Sequence, residues 1–253
     1  MAAGDGKFVW YELVTSDVEA AQAFYGRVVG WTLEDAGAPG MRYLIAKVGD
    51  RRVAGLMNFV PGCPEVPVHW SGYIGVADVD AMVARVEEAG GTVHRAPDDI
   101  PGVGRFAVVA DPRGAVFTLF HGDGDAGADL PRDAVGSTGW HELRTDDWEA
   151  AFAFYRRLFG WEKAYGHDMG PMGFYQTFDV DGAWTGGMMN FPQAPPHWAY
   201  YFTVDDIDAA VGRIADGGGR VLSGPHEVPG GSFVVMASDP QGGQFALTGK
   251  RRA

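Results

Sequence analysis

Two glutamates and two histidines recur in this 253-residue chain in matched surroundings. Glu12 sits in WYEL and Glu142 in WHEL, while His69-Trp70 is matched by His197-Trp198. A carboxylate that orients an imidazole makes a general base, so Glu12, His69, Glu142 and His197 are the candidate catalytic residues. The same residues could instead tie strand ends together through buried hydrogen bonds, the commoner use of such pairs. Period-two alternation puts Trp10 on the face of Glu12, Trp140 on that of Glu142, Tyr73 on that of His69 and Tyr201 on that of His197. Trp10, Met57 and Tyr73, with Trp140, Met189 and Tyr201, are the candidate contacts for an apolar or aromatic ligand. Trp70 and Trp198 fall on the opposite strand face and are predicted to pack under helices. Cys63 is the single cysteine and lies in PGCPEVP with no activating neighbour, so neither a disulfide framework nor a thiolate zinc site is expected.

The elements that must position these residues come as a duplication. WYELVTSDVEAAQAFYGRVVGW (10–31) returns as WHELRTDDWEAAFAFYRRLFGW (140–161), with 14 of 22 residues identical at an offset of 130. An alternating run from Phe8 reads as a strand. Asp17 is a helix N-cap, Val18, Ala21, Phe24, Tyr25 and Val28 recur at helical spacing, and Gly30 ends the helix. Strand-like runs follow at 41–48 and 52–58. A second start at Trp70 leads into a helix opened by Asp78, then three more strands, the last preceded by the turn Asp111-Pro112-Arg113-Gly114. Each half therefore reads as two βαβββ units. The expected division is a first module at 1–122, a polar, Gly-rich linker at 123–136 and a second module at 137–253. Residues 98–104, 164–175 and 226–232 read as loops, and His167, Asp168, His226 and Glu227 as ionisable groups on them with no assigned role.

A hydrophobic content of 46% with 21% charged residues suits a globular protein with a sizeable core. The formal charge of -13 argues against nucleic acid or an anionic membrane surface as partner, since both need clustered Lys and Arg. No apolar run is long enough for a signal peptide or a membrane span, so the cytoplasm is the expected compartment.

The AFY…GW opening and the DPxG turn before the last strand (DPRG at 111–114, DPQG at 239–242) resemble the vicinal oxygen chelate superfamily. That superfamily holds glyoxalase I, extradiol dioxygenases and bleomycin-resistance proteins. The resemblance implies an α+β fold of two tandem modules, each made of paired βαβββ units curled into an open barrel around a cavity. It also implies one divalent metal held by His, Gln and Glu from four strands. In this sequence those positions fall at Trp10, Gly55, Ser71 and Thr118, and at Trp140, Gly187, Ala199 and Ala246. None is a good ligand for Fe, Zn, Ni or Mn, so no metal and no other cofactor is expected.

Three functions stay open at this point. The first is binding, such as antibiotic sequestration, of a hydrophobic or aromatic molecule in a cavity without the usual metal. The second is a metal-independent lyase or isomerase using Glu-His acid-base chemistry. The third is a metal-dependent glyoxalase or dioxygenase, against which the ligand positions speak. Fused modules mimic a dimer of single modules, so the assembly is expected to be a monomer or a homodimer.

Overall fold

The computed structural model describes residues 6–37, 40–59, 66–123 and 130–252. Cys63 lies outside them. The chain is four consecutive βαβββ units. The first is β1 (Phe8–Thr15), α1 (Val18–Val28), β2 (Thr32–Asp35), β3 (Tyr43–Val48) and β4 (Arg51–Asn58). The second is β5 (His69–Gly75), α2 (Val79–Glu88), β6 (Thr92–Ile100), β7 (Gly104–Ala110) and β8 (Val116–Gly122). The third is β9 (Thr138–Thr145), α3 (Trp148–Phe159), β10 (Glu162–Asp168), β11 (Phe174–Val180) and β12 (Ala183–Asn190). The fourth is β13 (His197–Val204), α4 (Ile207–Asp216), β14 (Arg220–Val228), β15 (Ser232–Ser238) and β16 (Gln244–Gly249).

The strands make two open eight-stranded sheets, ordered β2-β3-β4-β1-β5-β8-β7-β6 and β10-β11-β12-β9-β13-β16-β15-β14. In each unit the first strand runs parallel to the last, and the other neighbours are antiparallel. The fold is the predicted mixed α+β arrangement. Three predicted loops are partly strand. Residues 98–100 belong to β6, His226 and Glu227 to β14, His167 and Asp168 to β10, and Phe174 and Tyr175 to β11, with a 3₁₀ turn at Gly170–Met172 between those last two strands. Polar composition hid these segments because they are outer strands with one solvated face, where apolar alternation is weak.

Helix starts are built twice over. Asp17 Oδ1 accepts from the backbone N–H of Ala20, and Asp147 Oδ1 from that of Ala150. The next donor, Val18 N–H, is taken by Asn58 Oδ1 at 2.9 Å, and Trp148 N–H by Asn190 Oδ1 at 2.8 Å. The asparagine that ends GLMN and GMMN thus fixes the helix to the parallel strand beside its own. α1 buries Val18, Ala21, Phe24, Tyr25 and Val28, the predicted stripe.

Contacts divide the chain into two compact units, and each draws on both sequence halves. One comprises Trp10–Trp70, Gly127–Trp140 and Ala199–Ala253, the other Met1–Val9, Ser71–Ala126 and His141–Trp198. In the first, Trp70 Nε1 donates to Tyr25 Oη at 2.9 Å, and Tyr25 Oη donates to Asp239 Oδ2 at 2.9 Å. The other oxygen of Asp239 accepts from the N–H groups of Gln241 and Gly243. The second unit repeats this with Trp198, Tyr155 and Asp111, whose Oδ1 holds Arg113 N–H and Ala115 N–H. Trp70 and Trp198 therefore pack beneath α1 and α3, as alternation predicts. Aromatic rings flank each tyrosine: Trp31, Trp70 and Phe245 about Tyr25, and Phe117, Phe159, Trp161 and Trp198 about Tyr155. Of the segment predicted as a linker, residues 130–136 are described and end packed, with Gly136 accepting from Trp31 Nε1 through its carbonyl.

Burial, then the neighbouring Asp239 charge, raises the Tyr25 hydroxyl well above its ordinary value. Both turn aspartates are also raised, by burial first. A tyrosine held protonated contributes stability that is intact below about pH 10, where unfolded tyrosine ionises, and is lost as pH rises further. Tyr25→Phe leaves Trp70 Nε1 and Asp239 each short of a buried partner. It is expected to cost about 1–3 kcal/mol in urea denaturation at neutral pH, and Tyr155→Phe a similar amount.

Candidate functional site

The two predicted residues of β1, Trp10 and Glu12, are joined by a side chain from the neighbouring hairpin. Tyr43 Oη donates to Glu12 Oε2 at 2.9 Å and accepts from Trp10 Nε1 at 3.1 Å. Trp10 and Glu12 do share a face. The ring reaches them because it crosses β4 at Gly55, the ladder partner of Glu12, where any Cβ would overlap the Tyr43 hydroxyl. Gly55 is thus dictated by the tyrosine that lies on it. Met57 is buried on β4, opposite Tyr43 in one ladder and Val14 in the other. Burial and then the Glu12 charge raise the Tyr43 hydroxyl well above its ordinary range, so it stays a neutral donor to the carboxylate.

The third βαβββ unit keeps this plan and adds charge. Tyr175 Oη donates to Glu142 Oε2 at 3.0 Å, and a Cβ on Gly187 would run into the Tyr175 ring. Arg144, which replaces Val14, donates from Nε to Glu142 Oε1 at 2.7 Å, with only 16% and 8% of the two side chains exposed. The Arg144 guanidinium also lies 4.8 Å from the centre of the Phe191 ring. The His197 imidazole meets the same ring edge-on at 6.4 Å. Met189 is ladder partner to both Tyr175 and Arg144. The predicted pair Glu142 and His197 is therefore brought into one neighbourhood, together with Arg144, Tyr175 and Phe191.

The carboxylates do not orient the imidazoles. Nδ1 of His69 lies 2.8 Å from the Pro67 carbonyl oxygen, and Nδ1 of His197 lies 2.8 Å from that of Pro195. A carbonyl only accepts, so Nδ1 carries the proton and, in the neutral ring, Nε2 carries the lone pair. His197 is held below the usual histidine range by burial first, with Arg144 lowering it further and the Pro195 carbonyl and Glu142 charge opposing.

The remaining candidates form apolar surface. Ala199, Tyr201, Met236 and Ala246 make a buried cluster against which Trp140 and Val234 pack. Trp140 is covered by the Arg132 guanidinium, 4.9 Å from its ring centre, and Arg132 is itself tied to the Gly139 carbonyl. Tyr73 is buried, pairs with Thr118 along the β5–β8 ladder and meets Phe120 edge-on. Ser71 Oγ and Thr118 Oγ1 share a hydrogen bond at 3.2 Å. A recess of about 290 Å³ elsewhere, lined by Arg27, Val29, Gly30, Val135, Asp205 and Arg213, includes none of these residues.

Sequence reasoning missed Tyr43, Tyr175 and Arg132. The signal for the tyrosines was present. MRYL and GFYQ place a tyrosine at the same point of each repeat, and GLMN and GMMN place a glycine to receive it. Arg132 lies in a segment read as linker, where nothing in the pattern marks a packed side chain.

A profile of the Glyoxalase/Bleomycin resistance protein/Dioxygenase superfamily matches residues 7–119 and 137–247. The chain belongs to that superfamily. It is 37% identical, over 94% of its length and 92% of the relative, to a protein called putative glyoxylase CFP32 from Mycobacterium tuberculosis. It is 35% identical to anthracycline biosynthesis protein DauV of a Streptomyces species, across 98% of this chain and 94% of that one. Among solved structures, the 2,3-dioxygenase LapB from Pseudomonas sp. KL28 superposes with a TM-score of 0.67 at 15% identity, over 99% and 94% of the two chains. The Mn(II)-bound glyoxalase from Novosphingobium aromaticivorans gives 0.65 at 19%, over 98% and 83%. Both share the fold.

The superfamily implies a divalent metal, and the side chains at the implied positions do not fit one. Tyrosine rings cover Gly55 and Gly187, Ser71 and Thr118 are hydrogen-bonded to each other, and Ala199 and Ala246 belong to an apolar cluster. Among the described residues, no three His, Cys, Asp or Glu side chains are grouped so as to hold a cation. Among them also, no helix is long and apolar enough to cross a membrane.

Gly187→Ala is expected to destabilise the protein by about 1–3 kcal/mol, since Tyr175 must leave its seat. The double variant with Tyr175→Ala should be no less stable than Tyr175→Ala alone, and urea denaturation of the set checks this. NMR titration is expected to place His197 below the ordinary histidine midpoint of about 6.5. Arg144→Ala should move it up and Glu142→Gln further down. A histidine lowered on folding contributes stability that is present above about 6.5 and lost as pH falls through its folded value.

Proposed function

We propose that this protein binds a hydrophobic aromatic small molecule, with Trp10, Met57 and Tyr73 of the first module and Trp140, Met189 and Tyr201 of the second as its contacts. The observation that carries this reading is the replacement of ligating side chains by an indole and a tyrosine-roofed glycine in each copy. A metal centre in that place would hold two adjacent substrate oxygens. An indole or phenol ring offers a flat apolar face with one polar edge, which suits a planar ligand. The relative named for anthracycline biosynthesis supports an aromatic polycycle as the ligand class. Sequestration needs shape, stacking and few hydrogen bonds, and no catalytic centre.

A second reading is a metal-independent lyase or isomerase. What favours it is the gathering of Glu142, Arg144 and His197 about Tyr175 and Phe191. Under that reading His197 Nε2, and not Glu142, is the base.

Titration of tryptophan fluorescence with anthraquinone tests the first reading. Saturable quenching is expected, and Trp10→Ala or Trp140→Ala should weaken binding about tenfold, about 1.4 kcal/mol. Absence of saturable quenching with planar aromatic compounds would sink the proposal. Chromatography of the recovered ligand separates the two readings, because an unchanged ligand supports binding and a modified one supports catalysis.

A further inference from the structure

The two copies of the tyrosine-glutamate site differ at the residue two beyond the glutamate. In the first copy the strand reads Trp10, Glu12, Val14, and the carboxylate is held by Tyr43. In the second it reads Trp140, Glu142, Arg144, and the carboxylate is held by Tyr175 and by Arg144 Nε. Both copies have a histidine whose Nδ1 proton is committed to a proline carbonyl, His69 to Pro67 and His197 to Pro195. Among the described residues, only the second places a guanidinium and that imidazole on one aromatic ring, Phe191.

We propose that the second copy is specific for an ionisable hydroxyl, a phenol or enol on the aromatic ligand, with His197 Nε2 accepting its proton and Arg144 pairing with the oxyanion. This rests on the aromatic-binding reading and names the substrate class of that site. The step is balanced within itself: the ligand O–H bond breaks, an N–H bond forms at Nε2, and the electron pair stays on oxygen beside the guanidinium. The groups facing His197 are Arg144 and Glu142, with the Pro195 carbonyl behind the ring and Phe191 at its side. Tyr175 shares Glu142 with Arg144, so the carboxylate already has a neutral donor and a cation. Burial keeps the imidazole neutral and ready to accept. An ammonium from lysine would supply the charge without the planar guanidinium that lies against Phe191. The first copy, with Val14 where the second has Arg144, is the internal comparison and is left to ligands without an acidic hydroxyl.

The test uses alizarin, a hydroxylated anthraquinone whose visible band reports ionisation, beside unsubstituted anthraquinone, which has the same rings and no hydroxyl. On the full-length protein, alizarin is expected to ionise at least one pH unit lower when bound than when free. Arg144→Val and His197→Gln should each abolish most of that shift, Arg144→Lys should retain part of it, and His69→Gln should leave it intact. Far-UV circular dichroism of all four variants should match the wild type, which shows that they fold. An unshifted bound spectrum, or a full shift in both Arg144→Val and His197→Gln, overturns the inference while aromatic binding stands. Failure of wild-type protein to bind either compound overturns aromatic binding itself, and this inference with it.

Discussion

The structure depends on a hydrogen-bonded chain that runs from an indole through a tyrosine to an aspartate turn. Trp70, Tyr25 and Asp239 form it in one compact unit, and Trp198, Tyr155 and Asp111 in the other. Each link satisfies a polar group that burial among aromatic rings would otherwise leave without a partner. The aspartate spends one oxygen on the tyrosine and the other on the backbone of its own turn, which sets the start of the last strand. Each chain joins a helix of one sequence half to a turn of the other. The AFY and DPxG motifs that reveal the family are thus the two ends of one interaction.

That interaction explains what was legible in the sequence. Buried partners with strict geometry keep their residue types in both copies, so the repeat, the helix caps and the four βαβββ units could all be read from pattern. The asparagine of GLMN and GMMN was visible as a repeat, but its role at the helix N-terminus was not, because the contact crosses about 40 residues. The outer strands β6, β10 and β14 read as loops in part because solvent takes one face of each and weakens the apolar alternation.

The candidate site divides along the same line. Alternation along a single strand found Trp10 with Glu12 and put Trp70 under a helix, since both follow from local geometry. The tyrosines that organise each glutamate come from a different hairpin, and only the matching glycines hinted at them. Sequence pattern alone leaves the imidazole partner open between carboxylate and backbone, and a carbonyl two residues away takes Nδ1 in both copies. Short-range backbone geometry won over the longer-range side-chain pairing.

Duplication therefore kept the scaffold and released the site. In one copy a phenol holds the glutamate, in the other a phenol and a guanidinium do, and in neither do the four implied metal positions offer ligating side chains. The most direct measurement is metal content together with ligand affinity, on protein purified without chelator. Fe, Ni, Zn and Mn are expected well below one per chain, with aromatic-ligand affinity unchanged by chelation. One equivalent of any of these metals, lost on chelation together with binding or turnover, would contradict the central claim.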